Sequence, residues 1–538
     1  MKTVADRLVE ILLEAGVEVL FGIPSIHNLG LYEALRKTPA IKHILCRHES
    51  TATHMADGYA RESRKLGVVI ASTGPGVGYT VPALEEAIGS SVPLLVIATN
   101  IPLRKIGKGS GTLHEIPGQE EIFRNITKGT FVVRSASDME TQAREALRTA
   151  QSGRPGPVYL ELPTDMFNLE AVPAKLSDKG INNLEPAALP NLKRAVALLK
   201  EAERPLILTG IAALRAGLSK EITALAETLS APVLFSPGSR GIIPDDHPLA
   251  LGNGARRGVI RETVAASDLA LAVGTRLREV DAKRRGLELP RLIHLDWDGQ
   301  WIDKNFRAEI ALTGDLVQLV KALIKECVPL PLGEERKAGA ADIAIKREEE
   351  TDEIRKKRAE LAYLDVIRSV MPRTSTFVVD NTQLGYWSEY FYPSYVPGGW
   401  MGAKGSAIIG FAFSAAVGAK IAAPKRPIVA LMGDGGFLYS SQELATCVRH
   451  GVGFPLIVVN SRSYGMIEYL QEKFYDHEYE THLENPDFVR LAGAYGVEGC
   501  RVTSPIQLHD ALTEALSSGE MRLIELVDDF PEPPFDRF

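Results

Sequence analysis

Several short segments of this chain are apolar at every position instead of at alternate ones: LGVVIA at 66–71, VPLLVIA at 92–98, PLIL at 205–208, LALAV at 269–273, PIVALM at 427–432 and FPLIVV at 454–459. A strand that is greasy on both faces must be covered on both faces. With helical stretches between such strands, the outcome is a parallel sheet wrapped on two sides. The helical reading is clearest at the start, where Lys2 to Gly16 puts Leu8, Ile11, Leu12 and Ala15 on one face. A chain of 538 residues is too long for one such core, so about three domains are expected.

Two seams divide the pattern. Residues 171–191 are rich in proline and lack a clean period, as a linker would. Ile345 to Glu360 mixes opposite charges closely, which favours a solvated helix. The expected architecture is therefore three doubly wound α/β domains with mostly parallel sheets, at 1–170, 192–325 and 361–538. Strands are predicted at Val17–Phe21, Leu66–Ala71, Pro93–Ala98 and Pro157–Leu162 in the first block, with HILC at 43–46 leading into a helix. The second block offers PLILTG, APVLFS, LALAVGTRL and PRLIHLDWD, and the third TFVVD, PIVALMGDG, FPLIVVNS and MRLIELVDD.

Composition removes some classes of function. A net charge of -7 without a long Lys/Arg tract gives no general help in binding nucleic acid or anionic membrane. The greasiest stretch, IIGFAFSAAVGAKIAAP, is broken by Lys420 and reads as a buried Gly/Ala-rich helix, not a membrane span. The amino-terminal stretch lacks the pattern of a signal peptide. Cys46, Cys327, Cys447 and Cys500 lie far apart without metal-site spacing, as reduced thiols of a cytoplasmic protein would.

The sharpest local feature is Gly433-Asp434-Gly435-Gly436 at the end of an apolar strand. Glycines allow close backbone approach to an anion, a helix starting near Tyr439 would offer free N–H groups, and Asp434 is a hard oxygen ligand suited to magnesium. A tight turn with a solvent-facing aspartate is the competing reading. The next buried strand ends at Asn460-Ser461-Arg462-Ser463-Tyr464-Gly465, and neighbouring parallel strands bring both polar ends to the sheet's carboxyl edge.

These two segments resemble the thiamine-diphosphate motif of the acetolactate synthase, pyruvate decarboxylase and benzoylformate decarboxylase superfamily. The resemblance extends over nearly the whole chain, through FGIPSIHNL, STGPG, AVGTRL, IHLDWD and YGMIEYLQEKFY. It implies that Asp434, Ser461 and the carbonyl of Ser463 hold magnesium, with Gly433, Gly435, Gly436, Tyr464, Gly465 and Met466 around the diphosphate. Ser461 departs from the asparagine expected there, and its hydroxyl is a shorter oxygen ligand. From the first block, the resemblance assigns Glu49 to the aminopyrimidine ring, where a carboxyl promotes the imino form that deprotonates C2. Ile409 matches the aliphatic wedge that bends the cofactor, its N–H meeting the pyrimidine and the carbonyl of Ala407 meeting the 4′-amino group. Since the outer domains bind opposite ends of the cofactor, the family implies sites shared between subunits of a homodimer or homotetramer.

Departures from the family cluster at the substrate end. Ser25 stands for a usual glycine, Ile26 for an aspartate or serine, Ile70 for a histidine, and Tyr79 for an asparagine. Leu113-His114-Glu115 replaces a Phe-Gln-Glu segment and Leu470 a tryptophan. His114 and His27 remain as proton carriers, a role that suits histidine near neutral pH, or else as structural histidines. Gln119 is a further polar candidate, and Ile26, Leu113, Ile467 and Leu470 suggest an apolar acyl pocket. Gly210, Gly274 and Asp296 mark strand ends of the central block without a complete dinucleotide fingerprint, so FAD and NAD are not expected. The implied activity is decarboxylation of a 2-oxo acid, or carboligation, through a C2 carbanion and an enamine. An acetolactate-synthase-like transferase and a non-catalytic cofactor-binding homologue are the alternatives.

Overall fold

The structure is a computed structural model that describes residues 2–174, 189–254, 257–282, 286–328, 334–530 and 532–534. The apolar segments form three six-stranded sheets in which all neighbouring strands are parallel. The first contains β1 (Val19–Gly22), β2 (Lys42–Leu45), β3 (Gly67–Ala71), β4 (Leu94–Asn100), β5 (Gly129–Val132) and β6 (Pro157–Pro163), in the order β2-β1-β3-β4-β6-β5. The second contains β7 (Pro205–Thr209), β8 (Val233–Phe235), β9 (Ala250–Gly252), β10 (Leu269–Val273), β11 (Arg291–Asp296) and β12 (Ile310–Thr313), ordered β12-β11-β10-β7-β8-β9. The third contains β13 (Thr376–Val379), β14 (Trp400–Gly402), β15 (Ile428–Gly433), β16 (Pro455–Val459), β17 (Glu498–Val502) and β18 (Arg522–Leu526), ordered β14-β13-β15-β16-β18-β17. The outer sheets thus repeat one topology, while the central sheet has the doubly wound order of dinucleotide-binding folds.

In each outer sheet the strand order reverses between the first and third strands, β1 with β3 and β13 with β15. Open α/β sheets bind ligands at the carboxyl ends of such strands. The FGIPS and STGPG loops therefore leave the first sheet beside one another, and Asp380 and Asp434 follow the paired ends of the third.

The two outer sheets are joined through their helices. Helix Glu49–Ser63 crosses helix Phe411–Ala422 at backbone contact: a Cβ on Gly58 would lie 2.0 Å from the Ala415 carbonyl oxygen, and one on Gly418 would lie 1.8 Å from that of Met55. Met55, Ala56, Phe411, Ala415 and Phe437 share one buried core. The Gly/Ala-rich segment is thus a buried helix, and among the described residues no helix is long and apolar enough to cross a membrane.

Some expectations change. The first helix runs from Val4 to Glu14, capped by Thr3, and Ala15 lies exposed beyond its end. Of the first seam, residues 175–188 lie outside the described residues, and its last residues begin helix Leu189–Glu201. Of the charged seam, residues 345–355 belong to helix Glu334–Arg355 and Glu360 opens helix Glu360–Val370, and the seam is not wholly solvated: Glu350 pairs with Arg257 at 2.9 Å and accepts from Gly258 N at 2.6 Å. No disulfide joins the four cysteines, of which Cys500 is exposed and the others buried.

Candidate active site

The amino-terminal half of the site assembles on the loops after β1 and β3. Ser25 Oγ donates to Ser72 Oγ at 2.7 Å and accepts from His27 N at 3.3 Å, so one hydroxyl ties the two loops and orients His27. Gly74 lies so close beneath His114 that a Cβ on it would sit 2.4 Å from the His114 carbonyl oxygen. His114 has a left-handed backbone at φ 65°, an uncommon state for a non-glycine residue, and its ring centroid lies 4.9 Å from that of His27. His27 is buried, with Nδ1 unpartnered among the described residues; burial, then the neighbouring His114, lower its pKa. Ile26 and Leu113 flank the pair and are 66% and 58% exposed.

Glu49 begins helix Glu49–Ser63 on the same sheet edge, behind the N-cap His48, whose ring accepts from Ser50 N. Its Oε1 lies 3.1 Å from the point where a Cβ on Gly76 would stand. Burial raises its pKa, and no side chain hydrogen-bonds the carboxyl among the described residues. A half-buried carboxyl that favours its proton suits the pyrimidine role.

Gln119 corrects the sequence reading. Its Oε1 accepts from Gly74 N at 2.8 Å, and its Nε2 is within 3.0 Å of the Thr99 carbonyl, the Tyr159 hydroxyl and Glu161 Oε2. With both ends of its amide engaged and its side chain buried, Gln119 holds the Gly74 loop and is not free to meet substrate.

The carboxyl-terminal half stands on β13, β15 and β16. Helix Asp434–Leu438 starts at Asp434 itself, and Tyr439 is its C-cap, not a helix start. The flanking glycines let the helix follow the strand without a turn, so Asp434 is buried and not solvent-facing. Asp434 Oδ1 accepts from Gly435 N at 2.9 Å, and Oδ2 accepts from Arg462 N at 2.8 Å and Asn485 Nδ2 at 2.7 Å. Arg462, left-handed at φ 56°, folds its loop onto the aspartate. Ser461 Oγ donates to the Ser463 carbonyl at 3.2 Å, which brings together two of the expected ligand oxygens. The Tyr464 ring comes within 2.6 Å of where a Cβ on Gly435 would lie. Helix Gly465–Tyr475 follows, carrying Met466, Ile467 and Leu470, and the Gly465 carbonyl accepts from Gln383 Nε2 at 3.3 Å.

These residues fit a hard cation. Burial raises the pKa of Asp434, its hydrogen bonds all come from neutral donors, and Oδ1 accepts only one of them, while the Ser461 and Ser463 oxygens meet in the loop that Arg462 N ties to the same carboxylate.

The loop at 404–410 carries Ala407 and Ile409, the residues expected beneath the cofactor. Ala407 has φ 59°, again left-handed, and its carbonyl accepts from Asn381 Nδ2 at 2.8 Å, leaving one lone pair. Ile408 packs against the buried core, whereas Ile409 is half-exposed outside it, a position open to a ligand. Two carboxylates that sequence reasoning missed hold this loop. Asp380 Oδ2 accepts from Gly410 N at 2.7 Å. Glu86, reaching across from the first block, accepts from the backbone N–H of Lys404, Gly405 and Ser406 at 2.8–3.0 Å and pairs with Arg61 at 3.1 Å. Asp380 carried a readable signal, an acid ending an apolar strand. Glu86 carried only that of an acid on the buried stripe of a helix.

With this geometry in view, the comparisons decide the family. Family models match three parts of the chain: the N-terminal TPP binding domain of thiamine pyrophosphate enzymes at 2–122, their central domain at 192–323 and their C-terminal TPP binding domain at 380–526. The chain is a thiamine pyrophosphate enzyme. Among curated relatives it is 36% identical to a "Probable 2-ketoarginine decarboxylase AruI" of Pseudomonas aeruginosa, over 96% of this chain and 92% of the relative. It is 32% identical to a "Probable acetolactate synthase large subunit" of Methanocaldococcus jannaschii, over 98% of this chain and 92% of the relative. The acetolactate synthase isozyme 3 large subunit of Escherichia coli is 30% identical, over 97% of this chain and 94% of that one.

Proposed function

We propose that this thiamine pyrophosphate enzyme decarboxylates a 2-oxo acid and releases an aldehyde, with magnesium and the diphosphate held by the 361–538 domain and the pyrimidine by the 1–170 domain. The bound cofactor would supply the carbon nucleophile and the electron sink for loss of carbon dioxide. Glu49 holds a proton on its half-buried carboxyl for exchange with the pyrimidine nitrogen. Asp434, Ser461 and the Ser463 carbonyl hold the cation, and Ile409 supports the bend. His27 and His114 deliver the proton to the carbon that has lost carbon dioxide.

The observation that carries this reading is the histidine pair, 4.9 Å apart by centroid on the same sheet edge as Glu49. A neutral-leaning imidazole beside a second one can accept and return a proton near neutral pH. The exposed Ile26, Leu113 and Tyr79 on these loops, and Ile467 on helix Gly465–Tyr475, support a second copy of the chain closing each site, in a homodimer or homotetramer. No nucleotide cofactor enters the proposal. Arg154 holds the strand-end Asp296 at 2.6 and 2.7 Å, and a Cβ on Gly210 would meet the Gly274 carbonyl at 2.4 Å.

Carboligation is the second reading, supported by the likeness to acetolactate synthases and by the apolar side chains of Ile467 and Leu470, which could face a second carbonyl compound. On the same helix, Glu468 joins Glu478 and His482, with ligand atoms within 4.8 Å of one another. This acidic rim, with the likeness to a 2-ketoarginine decarboxylase, puts 2-oxo acids with cationic chain ends among the substrates to try. The test is a panel of 2-oxo acids with thiamine diphosphate and magnesium, scoring carbon dioxide and organic product together. Equal release of carbon dioxide and aldehyde supports the first reading and a 2-hydroxy ketone or acid the second. Absence of turnover across the panel would leave a non-catalytic homologue.

A further inference from the structure

The carboxylate of Asp434 is held by a residue that belongs to neither of the segments expected to bind the cation. Asn485, from the stretch after helix Gly465–Tyr475, donates through Nδ2 to Asp434 Oδ2 at 2.7 Å and to Asn460 Oδ1 at 3.0 Å. Asn460 in turn donates to Glu525 Oε1 at 2.7 Å, and Arg501 donates to Glu525 Oε2 at 2.8 Å. Asn460 and Glu525 are both buried. The carboxylate is thereby connected through two amides to β18 and β17, not merely to its own loop.

The bonds divide the labour between the two oxygens of Asp434. Oδ2 receives two N–H donors, from Arg462 and Asn485, which occupy both of its in-plane lone pairs. Oδ1 receives one, from Gly435, and keeps the other. Asn485 Oδ1 is itself buried and has no hydrogen-bond partner among the described residues. A buried acceptor without a donor calls for a water or a cation. Ser461, with its hydroxyl proton turned to the Ser463 carbonyl, offers no amide of its own.

We propose that Asn485 is a positioning residue for the cation site: it locks the Asp434 carboxylate so that Oδ1 alone is left to the metal, and its buried, unpartnered amide oxygen would accept from a water held at that site. The proposal rests on the reading of Asp434 as the cation ligand. Residues that orient a metal ligand in this way change metal affinity by about 10- to 100-fold when removed.

The test is a titration of the full-length protein with Mn2+ in the presence of thiamine diphosphate, followed by electron paramagnetic resonance. Wild type should take up Mn2+ and Asp434→Ala should not. Asn485→Ala should bind Mn2+ at least about tenfold more weakly, with an altered spectrum of the bound ion. Asn485→Ser, which keeps a shorter donor, should fall between. Wild-type affinity in Asn485→Ala overturns the proposal while leaving Asp434 as ligand. So does weaker binding with an unchanged spectrum, which marks a merely structural role. Failure of wild type to take up Mn2+ removes the reading of Asp434 and the proposal together.

Discussion

Replacing Asp380 by asparagine isolates how strongly the buried edge of the third sheet is charged. Asp380 accepts from Gly410 N at 2.7 Å and Asn381 N at 2.8 Å, and the Ala412 N–H also stabilises its anion. Burial nevertheless wins and raises its pKa from 3.8 to about 6. A rise of that size corresponds to about 3 kcal/mol of preference for the protonated form in the folded chain. The sign follows from linkage. The contribution is fully present below the unfolded pKa near 3.8 and is lost as pH climbs through about 6. The amide in Asp380→Asn does not titrate, so the variant lacks this pH dependence, whatever it loses in acceptor capacity. Urea unfolding of cofactor-free wild type and Asp380→Asn across about pH 4 to 7.5 reports the difference, in which the other titrating groups largely cancel. Over that range the difference should shift by about 2.4 kcal/mol in favour of the variant as pH rises. A difference that stays flat with pH would refute the reasoning, because Asp380 would then titrate alike in the folded and unfolded chain.

Three further outcomes follow from the same geometry. In His27→Phe or His114→Ala, product release should fall by about 10²- to 10⁴-fold with cofactor binding retained, read by aldehyde formation and by titration of the cofactor. Glu86→Gln turns an amide N–H toward backbone donors and removes the charge facing Arg61; it should cost about 2–4 kcal/mol and weaken thiamine diphosphate binding, read by calorimetry of unfolding and of binding. Gly418→Ala should destabilise by at least about 1–3 kcal/mol in a thermal melt, since its Cβ would meet the Met55 carbonyl oxygen at 1.8 Å and the crossing helices would have to part.

What could be read in the sequence depended on whether a residue's role is local. Interior strands such as β3, β4, β15 and β16 announce themselves because both faces are buried. The strands that escaped notice, β5, β9, β12, β14 and β17, all lie at sheet edges. An edge strand pairs on one side only and can be short or polar: β14 is only WMG, and β17 is EGCRV with its polar residues largely exposed. The placement of Asp434 and Glu49 at the sheet edges was legible because each opens a helix just after a strand within a recognisable motif. Asn485 and Glu86 were not, because their partners lie elsewhere in the chain. Glu86 follows another glutamate, Glu85, and only the fold shows which of the two is buried against residues 404–406. Gln119 misled for the converse reason, since a polar residue beside a loop glycine reads the same whether it faces substrate or holds the loop.

The central claim is that Glu49 and Asp434, from opposite ends of the chain, act on one cofactor. Proton–deuterium exchange at C2 of bound thiamine diphosphate, measured by nuclear magnetic resonance with magnesium present, tests it without any choice of substrate. Glu49→Gln should keep the cofactor bound and slow the exchange by about 10²-fold or more, while Asp434→Ala should fail to hold the cofactor. Exchange at the wild-type rate in Glu49→Gln, or undiminished cofactor binding in Asp434→Ala, would contradict the account.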